Sequence, residues 1–141
     1  MPSTKVVTMK KFVSILCLFA IIASCTSKNK ELKTFDPAFV HTVYFWLKDP
    51  ENIQDRTAIE ASLKKFMQNS KYAQTKFVGK PPKATRDIVD DSFTYALILT
   101  FSSAQEQENY QKEEAHLLFI EESQDLWEKV LVYDSRGEVV K

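Results

Sequence analysis

Residues 39–135 predict an α+β domain, with one antiparallel sheet and helices packed on a single face. Three observations lead there. The runs Phe39–Lys48, Ser92–Ser102 and Lys129–Asp134 are dense in β-branched and aromatic residues, as strands are. The stretches between them place apolar residues at helical spacing. The first and third of the four strand runs are apolar on both faces, so each side of the sheet needs a cover.

In chain order, FVHTVYFWLK alternates His41, Val43, Phe45 and Leu47 on one face with Thr42, Tyr44 and Trp46 on the other. Asp49-Pro50 then predicts a helix start, with Asp49 as the cap and Pro50 in the first turn. Ile59, Leu63, Phe66 and Met67 make its apolar stripe, through to about Ser70. Lys71–Val78 reads as a second strand, stopped by Gly79 and Pro81-Pro82, and Lys83–Asp91 as a polar loop.

Ser92–Ser102 is the strongest strand and is expected at the centre of the sheet. Phe93, Tyr95, Leu97, Leu99 and Phe101 are expected on one face of it. Ser103 and Glu106 form a capping box that opens a short helix to about Lys112. A second helical segment follows from His116 to about Glu128, with Leu117, Ile120 and Trp127 as a partial stripe. Lys129–Asp134 is the last strand. The order β–α–β–β–α–β is the split βαβ, ferredoxin-like arrangement. It leaves one apolar sheet face bare, and face-to-face homodimerisation covers it most simply.

The remaining sequence sets limits on partners. Lys and Arg together number 19, as do Asp and Glu, so charge gives no reason to expect nucleic acid. Only 2 glycines, and no glycine-rich phosphate motif, argue against a nucleotide-cradling loop. Lys10 and Lys11 precede the apolar run Phe12–Ala23, which ends at Ser24-Cys25. A basic flank, a short apolar run and small terminal residues describe a secretory signal, and the run is shorter than the roughly 18 residues of a spanning helix.

Ile22-Ala23-Ser24-Cys25 resembles a bacterial lipobox, which implies a signal peptide over 1–24 and a lipidated Cys25. Residues 25–38 then read as a tether holding the protein to a membrane of the bacterial cell envelope. Met9 offers an alternative start. Loss of Lys5, Lys10 and Lys11 with the signal would leave a formal charge of −3. Cys17 would leave with it, so the remaining domain has no thiol for a disulfide, nucleophile or metal.

Three motifs carry a family resemblance: His41–Lys48 in the first strand, Asn109-Tyr110 with His116 at the helical break, and Leu126–Asp134 at the end. Together, over about residues 39–134, they resemble the stress-responsive dimeric α/β-barrel domains. The resemblance implies the ferredoxin-like unit, pairing of two copies through their sheets, and in many members no assigned reaction. One plant polyketide cyclase of the family is similar in its last third. That similarity implies His116 as a catalytic base, Tyr110 as an assisting phenol, and His41 as a residue beside the pocket. The chain departs from the pattern at Glu113-Glu114, where the family usually has histidine and proline.

The candidate site therefore lies between helices and sheet. An imidazole with an ordinary pKa of about 6.5 takes a proton near neutrality, and a phenol can donate to a developing enolate. Phe45, Leu63, Phe66 and Trp127 are expected as apolar walls suited to a small apolar ligand. Both histidines are equally explained as hydrogen-bonded structural residues, since relatives without known activity also have them. Glu113 and His116 have metal-pair spacing, but without a second pair no metal is expected. Two readings follow, neither needing a cofactor. One is a membrane-anchored, homodimeric domain of unassigned reaction that binds a small apolar molecule or acts structurally. The other is a cofactor-free enzyme of polyketide-cyclase or monooxygenase type using His116 and Tyr110.

Overall fold

The structure is a computed structural model that describes residues 38–137. The expected signal, Cys25 and nearly all of the tether lie outside these residues. The elements are β1 (Phe39–Leu47), α1 (Ile53–Asn69), β2 (Lys76–Gly79), β3 (Tyr95–Phe101), α2 (Ala104–Gln111), α3 (Glu114–Ser123) and β4 (Trp127–Arg136). A 3₁₀ turn at Gln124–Leu126 precedes β4. The sheet order is β2-β3-β1-β4, and every pairing is antiparallel. The expected ferredoxin-like α+β topology is thus present, with β3 and β1 at the centre.

The alternation expected in β1 appears as a strict buried/half-buried pattern along its whole length. His41, Val43, Phe45 and Leu47 face the helices. There they meet Leu97 and Leu99 of β3, Ile59, Leu63 and Phe66 of α1, and Phe119 of α3 in one apolar core. The ring of Phe66 stacks on that of Phe119 at 5.1 Å and 12°, which locks α1 to α3. On the other face the register aligns Thr42 with Ile98 and Tyr133, and Tyr44 with Ala96 and Leu131. That face is aromatic too, but Tyr133 remains 59% exposed and Phe77 of β2 54%.

Several boundaries differ from the sequence-based expectation, each for a local reason. Asn52, not Asp49, caps α1: its Oδ1 accepts from the N–H groups of Gln54 and Asp55 at 2.9 and 3.2 Å. Asp49 instead accepts from the N–H of Glu51 at 3.2 Å and makes the preceding turn. β2 begins at Lys76 and not Lys71, because the Lys71 N–H is taken by the Glu113 carboxylate at 2.9 Å. The Lys76 ammonium then donates to the carbonyls of Met67 and Ser70 at the end of α1.

Phe93 precedes the regular ladder, and its ring packs on Tyr44 and Trp46 of the open face, opposite to the side expected. Ser103 does cap α2, accepting from the Glu106 N–H at 3.1 Å. α3 opens at Glu114, two residues before the expected start, and ends at Ser123. Trp127 therefore lies in β4 opposite Leu47, not in a helix, and Leu117 points to solvent and does not join an apolar stripe.

Candidate functional site

The break between α2 and α3 positions the two residues of the helical motif. Lys112 and Glu113 donate back to the carbonyls of Asn109 and Tyr110, tightening the last turn of α2. The N–H groups of His116 and Leu117 both donate to the Glu113 carbonyl, so α3 restarts directly afterwards. Tyr110 on one side of this joint and His116 on the other come together with ring centroids 4.6 Å apart. Phe66 lies behind both, at 5.8 and 5.7 Å.

The third ring comes from the sheet. His41 on β1 stands edge-on to Tyr110 at 5.6 Å. Opposite it in the β1–β4 register is Asp134, whose Oδ1 lies 2.6 Å from His41 Nδ1. A carboxylate only accepts, so Nδ1 carries the hydrogen and the unprotonated nitrogen of a neutral ring is Nε2. His116 has the same tautomer for another reason: its Nδ1 is 3.1 Å from the Gln111 carbonyl oxygen and donates to it. With its hydrogen on Nδ1, the neutral His116 ring presents Nε2 as an acceptor.

Electrostatics push these groups apart in role. Burial lowers the His116 pKa, and His41 lowers it further, while the bond to Gln111 and the charge of Glu113 oppose the shift. The ring is therefore a neutral base at pH 7. Burial drives the Tyr110 phenol well above its ordinary pKa, and the charges of Glu113 and Asp134 push it the same way. It stays protonated and can donate. Among the described residues its hydroxyl has no hydrogen-bond partner.

These groups open onto a cavity of about 240 Å³, whose lining includes His41, Tyr110 and His116 beside Phe45 and Trp127. Leu63 and Phe66, expected on its wall, do not line it. They are buried in the core behind it, and Phe66 backs the Tyr110 and His116 rings. Val43, Leu97, Phe119, Ile120, Val130 and Val132 supply the rest of the apolar wall. Val130 and Val132 are partly exposed on edge strand β4, so the cavity opens on that side.

The sequence reading missed Asp134 as a site residue, as well as most of this wall. Asp134 shares the period-2 face of Val130 and Val132, a signal present in KVLVYD. Only the β1–β4 register, however, connects it to a histidine 93 residues away. Among the described residues no group of three His, Cys, Asp or Glu side chains is placed to hold a metal ion. No described helix is long and apolar enough to cross a membrane.

Residues 39–136 match the stress-responsive A/B barrel domain. The chain belongs to that family. No curated protein matches it. Solved structures extend the likeness of this stress-responsive barrel domain at the level of the backbone. A hydroxynitrile lyase from Passiflora edulis superposes with a TM-score of 0.62 at 20% identity, over 75% of this chain and 99% of the lyase chain.

A dimeric protein of unknown function and ferredoxin-like fold from Bacteroides fragilis gives 0.58 at 16% identity, over 74% of this chain and all (100%) of its own. A member of the same family from Mesorhizobium loti, also ferredoxin-like, gives 0.58 at 17%, over 72% and 97%. At these identities the shared property is the fold, and a reaction does not follow from it.

Proposed function

We propose that this stress-responsive barrel domain works as a homodimer, tethered through a lipid on Cys25 in a bacterial cell envelope, and binds a small apolar molecule in the cavity beside His116. One observation carries the ligand reading: His41, Tyr110 and His116 converge on a single cavity of about 240 Å³ whose other walls, Gln111 and Asp134 apart, are apolar. The open aromatic face of the sheet supports the dimer, as do structural neighbours described as dimeric. The lipid anchor rests on the sequence Ile22–Cys25.

The test is extraction of the purified protein with organic solvent, followed by mass spectrometry, on wild type and on Val132→Trp, which narrows the cavity mouth. An apolar species should come from wild type and be depleted at least tenfold in the variant. Equal recovery from both, or none from either, counts against the cavity. Cys25→Ala should release the protein from membranes, and unchanged fractionation would overturn the anchor.

A second reading, a cofactor-free enzyme of cyclase or monooxygenase type, is favoured by one specific feature. Hydrogen bonding fixes the proton of neutral His116 on Nδ1, and burial keeps the ring neutral, so Nε2 is an available base next to a protonated phenol. Nε2 would take a proton from carbon next to a carbonyl while Tyr110 donates a hydrogen bond to the developing enolate oxygen. Deuterium exchange into a small enolisable ketone checks this. Exchange should fall at least 100-fold in His116→Ala and less in Tyr110→Phe. Exchange equal to that in buffer would exclude this reading and leave binding intact.

A further inference from the structure

A second cavity, of about 320 Å³, lies between α1 and α3. Its apolar surface is Phe66, Leu118 and Phe119, and Phe119 also lines the first cavity, so an aromatic wall separates the two. Its charged lining is unevenly satisfied. Glu122 is fully engaged: one carboxylate oxygen accepts from Lys65 and the other from the Ser62 hydroxyl. Glu113 is not. The residue is only 9% exposed, and its Oε2 accepts from the Lys71 N–H at 2.9 Å. Its Oε1 is buried with no hydrogen-bond partner among the described residues.

A buried carboxylate oxygen without a donor is costly, and native folds rarely keep one without a reason. With Lys65 and Glu122 cancelling, Glu113 and Glu114 face Lys71 alone, which leaves the cavity lining net negative. What this arrangement lacks is a cationic donor, and what it offers besides is an apolar wall.

We propose that this cavity is a binding site for a small ammonium compound with an apolar body, its N–H donors reaching Glu113 and its body lying against Phe66, Leu118 and Phe119. The head group would complete the hydrogen bonding of the carboxylate, and charge-assisted bonds of this kind are the stronger ones. The site is a cavity separate from the one proposed above, although Glu113 also acts on the charge of His116 and Tyr110.

Titration of the full-length protein with phenethylammonium, followed through the backbone amide resonances of Lys71 and Ala115, tests the site. Saturable shifts are expected. Affinity should fall at least tenfold in Glu113→Gln, which keeps an acceptor for the Lys71 N–H, and should be unchanged in Val132→Trp, which narrows only the first cavity. The anionic isostere 3-phenylpropanoate should bind at least tenfold more weakly. Where Glu113→Gln does not fold, Leu118→Trp fills the cavity without touching the carboxylate and should abolish binding. The proposal is overturned by an absence of saturable shifts, by equal binding of the anion, by wild-type affinity in Glu113→Gln or Leu118→Trp, or by loss of binding in Val132→Trp.

Discussion

The two faces of the sheet are built from similar residues and meet different fates. On the helix side, Val43, Phe45 and Leu47 of β1 are each at most 5% exposed, closed over by Phe66 and Phe119. On the other side, Tyr44, Trp46, Phe93 and Tyr133 form an aromatic cluster of their own. Lys129 lies over the Trp46 ring at 4.2 Å, but none of the described helices covers the group. Aromatic content alone therefore does not make a core; a second layer does. The contrast also explains where polar chemistry sits. His41 tolerates the closed face because Asp134 satisfies its Nδ1 there, whereas on the open face Trp46 donates to the Ser92 hydroxyl at 3.0 Å beside the aromatic cluster.

Four experiments would break or sharpen this contrast. The largest effect is expected from Phe66→Ala, which removes the ring that joins α1 to α3 and backs Tyr110 and His116. It should cost about 3–5 kcal/mol in chemical denaturation. Tyr133→Ala, measured at dilutions where the chain is monomeric, should stay within about 0.5 kcal/mol. Comparable losses would mean that the two faces are not distinct. Next, Ile98→Asp at the centre of the open face should lower dimer affinity by about 2–5 kcal/mol in light scattering across a dilution series, by burying an unpaired charge. A wild-type curve would place the dimer contact elsewhere.

Asp134→Ala leaves the His41 Nδ1–H without its acceptor on the closed face and should cost about 1–3 kcal/mol. An equal cost in a His41→Phe background would show that the pair itself contributes nothing. The smallest effect concerns pH. Burial holds the His116 pKa below the unfolded value of 6.5, so the unfolded chain binds the proton more readily. The stabilising contribution is complete above 6.5 and is lost as pH falls through the window between 6.5 and the folded-state pKa. His116→Gln should flatten stability across that window, and an unchanged slope would assign the titration to another group.

Much of the fold was legible because it rests on short periods. The strict alternation of FVHTVYFWLK and the dense SFTYALILTFS need only neighbouring residues to declare a strand and its faces. The errors fall where two local signals competed. Asp49 and Asn52 are both good caps three residues apart, and the latter holds two N–H groups where the former makes a turn. Trp127 continued an apolar helical spacing from Ile120, but pairing with Leu47 drew it into β4. Tyr110 and His116 were legible from a motif that straddles one helical joint. Leu63 and Phe66 show the limit of a helical stripe, which tells that a residue faces inward but not how many layers stand between it and a cavity.

By itself the sequence determined the order of elements, the alternation of faces along each central strand, and the break that sets Tyr110 against His116. All of these are encoded within a few residues of chain. Only the tertiary structure decided that Asp134 meets His41, that Phe119 divides two cavities, and that Glu113 is buried with one oxygen unpaired. Each of those depends on strand register or on the docking of α1 against α3. Such long-range packing is the sum of many weak contacts, and no local spacing records it.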